Sequence, residues 1–296
     1  MTTIKLYLGA HKTATTHLQG ILMANRDLLA EDGTVLSAPQ DVRNSWLPGL
    51  FKAQKALMET GEIPDEIAAP LREWMPQDGT WILTEENIIG IPFELSRVPG
   101  IYPVAGKRLA TLKALFPEAR MEFYFSVRSY DSFYRSMYSE VVRNRGFMTF
   151  DTFYNEKRFA TNSWVRFTEL VAGAIAPENI VFWRFEDFRA VMPQALQLIS
   201  GRDDTEAMAA RYAPETTRPS LSQKTLDILG DIAPAIGVPE ALRLTEMINR
   251  HYAVADGHAP LQVFDTETSA RFKAQYQADL AEITQRFPDL KMLAPA

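Results

Sequence analysis

The chain has 296 residues, 46% hydrophobic and 23% charged, which suffices to bury a sizeable core in one large α/β domain or two smaller ones. A net charge of −6 and an isoelectric point of about 5.4 argue against a general nucleic-acid binder. The sequence has no cysteine, which excludes disulfides, thiolate metal sites and a cysteine nucleophile. Its four histidines lack the HxxxH or HExxH spacing of a zinc site.

The chain starts with a strand pattern rather than a signal peptide, and no apolar run is long enough to span a bilayer. We therefore expect a cytoplasmic protein with no metal, no transmembrane segment and no nucleic-acid partner.

The first stretch predicts a strand, a short loop and a helix. Residues 4–8 are mostly apolar, residues 9–16 read Gly-Ala-His-Lys-Thr-Ala-Thr-Thr, and apolar residues then recur at helical spacing. The first N–H groups of a helix have no carbonyl partner, so the loop predicts an anion site. Lys12 adds a mobile positive charge there. The Walker A pattern GxxxxGK[ST] is not met, which disfavours a nucleoside triphosphatase.

Two more short strands are predicted at residues 34–39 and 81–83, separated by a helical and loop-rich excursion over residues 40–78. Glu85 and Glu86 follow the second of these strands. Ligands of parallel sheets bind beyond the carboxyl ends of the strands, which places both acids on the same rim as Lys12. Neighbouring residues of an extended segment point in opposite directions, so we expect only one acid to face the site.

The clearest strand covers residues 122–127, which are aromatic and β-branched, and a helix precedes it at 103–116. Arg128 ends this strand, and Ser136 follows eight residues later on the next predicted helix. A guanidinium fork and a hydroxyl are suitable donors for a phosphate monoester.

The C-terminal third is predicted to be mostly helical. A strand at 179–185 leads into a helix that ends near residue 199, and a polar loop is expected over 200–218. Ser222 should cap the next helix, and helices follow at 239–251 and 269–287. The apolar stripe of the last helix indicates core or interface, which leaves a homo-oligomer open.

The alternation of strands and helices predicts a three-layer α/β fold with a mostly parallel central sheet. We expect a single domain over residues 1–296, with an α/β core in 1–200 and a helical part in 201–296.

Two motifs resemble the sulfotransferase family in its bacterial, P-loop-like form. The run from His11 to Thr16 is similar to the family's 5′-phosphosulfate loop, although Ala14 stands where glycine is more frequent. Arg128 and Ser136 have the family's Arg-x7-Ser spacing for a 3′-phosphate, with Tyr130 at a position that is often proline. The likeness extends from the first strand to about residue 190.

This resemblance implies transfer of a sulfuryl group from 3′-phosphoadenosine 5′-phosphosulfate (PAPS) to an acceptor hydroxyl, without a metal. Lys12 would stabilise the leaving group, and Glu86 would be the base, with Glu85 and His11 as alternatives. The nucleotide-binding residues it implies are Lys12, Thr13, Ala14, Thr15, Thr16, Arg128, Ser136 and, from a late basic loop, Arg218. The usual glycine-rich form of that late loop is absent.

Two other functions stay open at this point. One is a P-loop-like kinase that uses ATP, although the sequence lacks a convincing Mg²⁺-binding aspartate at a strand end. The other is a non-catalytic nucleotide-binding module. The acceptor itself is not readable: a glycan, a lipid-linked sugar and a small metabolite are all compatible with the sequence.

Overall fold

The computed structural model describes residues 2–213 and 220–295. Within these ranges six strands form one sheet in the order β2-β3-β1-β4-β5-β6, and every neighbouring pair is parallel. The strands are β1 (Thr3–Tyr7), β2 (Thr34–Ser37), β3 (Thr80–Leu83), β4 (Arg120–Val127), β5 (Ile180–Arg184) and β6 (Lys291–Leu293). The predicted parallel sheet is therefore confirmed.

Helices cover both faces of the sheet. They are α1 (Thr15–Ala24), α2 (Arg26–Glu31), α3 (Pro39–Asp41), α4 (Leu47–Thr60), α5 (Asp65–Arg72), α6 (Ala105–Leu115), α7 (Tyr130–Arg145), α8 (Phe150–Phe153), α9 (Glu156–Phe159), α10 (Trp164–Ala172), α11 (Phe188–Ser200), α12 (Thr205–Ala210), α13 (Gln223–Ile236), α14 (Val238–His251) and α15 (Thr266–Arg286). A π-helical segment, Val42–Trp46, joins α3 to α4, and a 3₁₀ turn, Glu86–Ile88, follows β3.

The two sides of the sheet have separate cores because successive side chains of a strand point to opposite faces. Phe123 and Phe125 of β4 belong to one cluster of buried side chains, while Tyr124 between them belongs to the other. Strand β3 divides in the same way, with Trp81 on one side and Ile82 on the other. The resulting three layers, helices, sheet and helices, are those that the sequence predicts.

The structure differs from the predicted elements at two places. Residues 291–293 form a sixth strand beside β5 rather than a helical end. Besides this pairing, Leu293 is buried in one core and Met292 packs against the other. Helix α12 lies inside the segment predicted as loop, where Thr205 and Met208 are buried. The predicted cap is confirmed, since the Ser222 hydroxyl accepts the N–H of Thr225.

Candidate active site

The loop between β1 and α1 lies at the carboxyl end of a central strand and has an unusual backbone. Gly9, Lys12 and Ala14 have φ values of 54°, 65° and 61°, in the left-handed region that L-residues seldom adopt. A Cβ on Gly9 would lie 2.1 Å from Cγ2 of Thr15, so no larger residue fits there. The glycine therefore permits the close turn from strand to helix.

This loop presents a run of main-chain donors. Among residues 2–213 and 220–295, the backbone N–H groups of residues 12–16 have no acceptor. Left-handed residues at Lys12 and Ala14 alternate with Thr13, which is the backbone pattern of an anion-binding nest. The run continues into the first turn of α1, where the helix dipole favours negative charge. The predicted anion loop thus has the geometry that its sequence indicates.

The three threonines of the loop have different environments. The Thr13 hydroxyl donates to the main-chain oxygen of Ala10 at 2.6 Å and is fully buried, so it stabilises the loop. Thr15 is buried at the start of α1, and Thr16 is exposed on its first turn. A phosphate at this loop would accordingly meet main-chain N–H groups and the Thr16 hydroxyl.

Lys12 reaches across to helix α7. Its Nζ lies 3.2 Å from Oε2 of Glu140, and both side chains keep some exposure, 27% and 16%. The ion pair therefore leaves the ammonium partly exposed to solvent. Glu140 is a residue of the site that the sequence analysis did not identify.

Arg128 lies directly after β4 and contacts the anion loop itself. Its Nη1 donates to the main-chain oxygen of Lys12 at 2.5 Å and to the Ser136 hydroxyl at 3.3 Å. Its Nε donates to the Ser132 hydroxyl at 2.9 Å, and the guanidinium lies 4.3 Å from the ring centre of Phe185. Burial lowers the pKa of Arg128 to about 10, so it is still a cation at neutral pH. The predicted Arg128–Ser136 pair is therefore in contact.

The acidic turn after β3 brings both carboxylates to one guanidinium. Nε of Arg43 lies 2.8 Å from Oε2 of Glu85, and its Nη2 lies 3.8 Å from Oε1 of Glu86. Both acids reach this guanidinium because the chain leaves the extended conformation at Glu86 and enters a 3₁₀ turn. Which of them faces the site stays a prediction. Burial, and then the charge of Glu86, raise the pKa of Glu85.

The two acids differ in what else they contact. Glu85 is fully buried and also accepts the main-chain N–H of Asn87 at 3.1 Å. Glu86 is 9% exposed, and its Oε2 accepts a hydrogen bond of 3.1 Å from the amide of Gln19 in α1. Of the two, only Glu86 keeps some exposure.

His11 is buried between the loop and the segment after β3. Its main-chain N–H donates to the Tyr102 hydroxyl at 2.9 Å, and its Nδ1 lies 2.9 Å from the same oxygen. Its Nε2 lies 3.3 Å from Oδ1 of Asn87. Burial lowers the pKa of His11, against the opposing charge of Glu86.

Sequence reasoning missed several residues of this site. Ser132 and Glu140 lie four residues before and after Ser136, and helical spacing alone could have pointed to them. The others come from separate elements and carry no local signal: Gln19, Arg43, Asn87 and Tyr102. Arg218 lies outside the described residues.

In the described part of the chain, no three His, Cys, Asp or Glu side chains come together as a metal site would require. Among the helices of the same ranges, none combines the length and apolar character needed to cross a membrane.

Two solved structures are similar to this chain. One is a sulfotransferase from Alicyclobacillus acidocaldarius, 15% identical with a TM-score of 0.42; the match covers 83% of this chain and 95% of that one. The other is retinol dehydratase in complex with androsterone and the inactive cofactor PAP, 12% identical with a TM-score of 0.36; here 94% of this chain and 80% of that one are covered. No family model and no curated protein matches the sequence. What these two proteins bind is a property of those proteins.

Proposed function

We propose that this protein transfers a sulfuryl group from PAPS to an acceptor hydroxyl. The observation that carries the proposal is the run of acceptor-free N–H groups at residues 12–16, flanked by the Lys12 ammonium and in contact with the Arg128 guanidinium. A ligand that satisfies all of these donors needs two separate anionic groups. PAPS has a phosphosulfate at one end and a 3′-phosphate at the other.

The donors divide between these two groups. The N–H groups of the loop and Thr16 would hold the 5′-phosphate, with the sulfuryl group beside Lys12. Arg128, with the hydroxyls of Ser132 and Ser136, would hold the 3′-phosphate. Charge-assisted and forked hydrogen bonds of this kind are the strongest that side chains make with phosphate.

The chemistry then requires mainly alignment and charge neutralisation, as in phosphoryl transfer. The bond between sulfur and the bridging phosphate oxygen breaks, and a bond forms between sulfur and the acceptor oxygen. The bridging oxygen gains negative charge, which the ammonium of Lys12 stabilises. The acceptor hydroxyl loses its proton to Glu86, and the products are a sulfate ester and 3′-phosphoadenosine 5′-phosphate (PAP).

The test compares nucleotides first and turnover second. Calorimetric titration with PAP, AMP and ATP should give the tightest binding for PAP. Incubation with PAPS and a panel of hydroxyl acceptors, with and without Mg²⁺, should give a sulfated product and PAP in both conditions.

Three outcomes would count against the proposal. Preference for ATP with Mg²⁺-dependent turnover would favour the kinase. PAP binding without turnover on any acceptor would favour the non-catalytic module. Equal affinity for PAP and AMP would mean that the protein does not recognise the 3′-phosphate.

A further inference from the structure

A continuous line of hydrogen bonds joins the anion loop to the acidic turn. It starts at Tyr102, passes through both ring nitrogens of His11 to Asn87, and ends at Glu85 and its partner Arg43. All but Arg43 and Asn87 are buried to below 9% exposure. In such surroundings each donor needs an acceptor, because an unpaired buried polar group is unfavourable.

The direction of each hydrogen bond follows from its neighbours. The amide nitrogen of Asn87 donates to Oε1 of Glu85, so its oxygen, Oδ1, is the atom that faces His11. An amide oxygen only accepts, which requires that Nε2 of His11 carries the proton. In the neutral ring, Nδ1 is then unprotonated and accepts the hydroxyl proton of Tyr102. The Tyr102 oxygen in turn accepts the main-chain N–H of His11.

The backbone of Tyr102 supports a functional constraint on this arrangement. Its φ is 49°, in the left-handed region that an aromatic residue adopts rarely and with backbone strain. Its ring stacks on the His11 ring with 5.7 Å between the centroids. A strained residue whose hydroxyl makes two contacts with one histidine is placed to fix that histidine.

We propose that His11 is a neutral brace protonated on Nε2, through which Tyr102 and Asn87 hold the anion loop against the acidic turn. This does not depend on the proposed sulfuryl transfer; its consequence for that reaction is that His11 is not an alternative to Glu86 as the base. His11 has no ring nitrogen left for a substrate, and Glu85 is fully buried and bonded to Arg43 and Asn87. Glu86 is thus the remaining base.

The charges around His11 act in both directions. Glu86 and Glu140 favour its protonated form, and Arg43 disfavours it. Burial outweighs the two carboxylates and lowers its pKa, which agrees with a neutral ring.

Nitrogen-15 NMR of histidine-labelled protein tests the brace without any nucleotide. The chain has only four histidines, and loss of one signal in His11→Gln assigns the ring. At pH 7 we expect protonated Nε2 and unprotonated Nδ1. Asn87→Ala should move the population towards protonated Nδ1, because Nε2–H loses its acceptor. A ring protonated on Nδ1, or on both nitrogens, in the unaltered protein would overturn the brace.

A pair of tyrosine variants provides the matched control. Tyr102→Phe should move the Nδ1 resonance towards that of a nitrogen without a hydrogen bond. Tyr124 is similarly buried and its hydroxyl is also bonded, but to Glu122 and to the main chain of Leu198. Tyr124→Phe should leave the His11 signals unchanged; an equal shift in both variants would show a general loss of packing and contradict the brace.

Kinetics separate the base from the brace. Glu86→Gln should lower kcat roughly 100-fold or more, with little change in KM for PAPS. His11→Gln should keep most of kcat and raise KM for PAPS about tenfold, since it loosens the loop. The reverse pattern would make His11 the base. If the unaltered protein shows no turnover, the proposed function and the role of Glu86 fail together, while the NMR result still decides the brace.

Discussion

Arg128 donates a hydrogen bond from Nη1 to the main-chain oxygen of Lys12, with 2.5 Å between the two atoms. The bond joins the segments that follow β1 and β4, which are neighbours in the sheet. The two residues are 116 positions apart in the sequence, yet this bond brings the Arg128 guanidinium to the main chain of the anion loop. The nucleotide proposal depends on this proximity, because one ligand has to reach both.

Arg128→Ala should weaken PAP binding roughly 10- to 100-fold, since hydrogen bonds to charged groups contribute about 1.5–3 kcal/mol. AMP binding should fall much less, because AMP lacks the 3′-phosphate. The loss of the contact with Lys12 loosens the loop for both nucleotides, so the ratio of the two affinities is the quantity to measure by calorimetry. The control is Arg250→Ala, at an exposed position in the last turn of α14, which should change neither affinity. An unchanged ratio for Arg128→Ala would mean that Arg128 does not bind the 3′-phosphate.

Lys12→Ala should lower turnover with PAPS by roughly 10³-fold, because the charge that develops on the leaving oxygen loses its cation. PAP binding should be weaker but still measurable, since the main-chain donors remain. Lys55→Ala is the comparison variant: it also removes an ion-paired lysine, but one that is exposed on α4 and paired with Glu59. If Lys12→Ala and Lys55→Ala turned over PAPS at the same rate, Lys12 would have no role in the reaction.

The sequence predicts the parts of this site that follow directly from a strand end. Lys12 and Arg128 could be identified because each follows an apolar run, and parallel strands place their carboxyl ends along one edge. The eight-residue spacing from Arg128 to Ser136 on α7 was enough to identify Ser136 as a third candidate donor to phosphate. The fold was predictable for the same reason, since β1, β3, β4 and β5 are compact apolar segments.

The contacts of His11 could not be predicted in this way. Asn87 and Tyr102 lie 76 and 91 residues further along the chain, and neither belongs to a periodic pattern. Arg43 lies on a π-helical segment, a conformation for which the sequence carries no recognised signal. Long-range partners of this kind are set by tertiary packing. They decide which of the candidate bases is accessible, which is why the sequence left that choice open.

The stability of the protein should fall as the pH drops below about 6.5, the ordinary pKa of histidine. The pKa of His11 is lowered in the folded state, so the unfolded chain binds a proton at a higher pH than the folded chain does. The stabilisation is therefore complete above the unfolded pKa and is lost as the pH falls towards the folded one. Urea unfolding at pH 7.5, 6.5 and 5.5 measures the slope of the free energy of unfolding against pH.

Carboxylates also titrate at the lower end of that range, so the comparison between variants is decisive. In His11→Gln, the free energy of unfolding should depend less steeply on pH than in the unaltered protein. In His251→Gln, at an exposed position on α14, the pH dependence should be the same as in the unaltered protein. Identical slopes for all three proteins would show that burial of His11 does not couple folding to pH.

Asp279 of α15 connects the C-terminal helix to the core. Its Oδ2 accepts the main-chain N–H of Trp164 at 2.7 Å, the Ser163 hydroxyl at 3.0 Å and the Tyr130 hydroxyl. The carboxylate is 8% exposed, so water cannot replace it fully as an acceptor. We propose on this basis that the α/β core and the C-terminal helices unfold as a single unit.

Asp279→Ala should lower the free energy of unfolding by about 3 kcal/mol. It leaves the buried Tyr130 hydroxyl of α7 without its carboxylate acceptor, and the main-chain N–H of Trp164 with only the Tyr130 oxygen. The loss should appear in one cooperative transition, seen equally by near- and far-ultraviolet circular dichroism. Asp289→Ala, at an exposed position after α15, should change the stability by less than about 0.5 kcal/mol. If Asp279→Ala instead separates two transitions, α15 unfolds independently of the sheet, and residues 201–296 form a unit of their own.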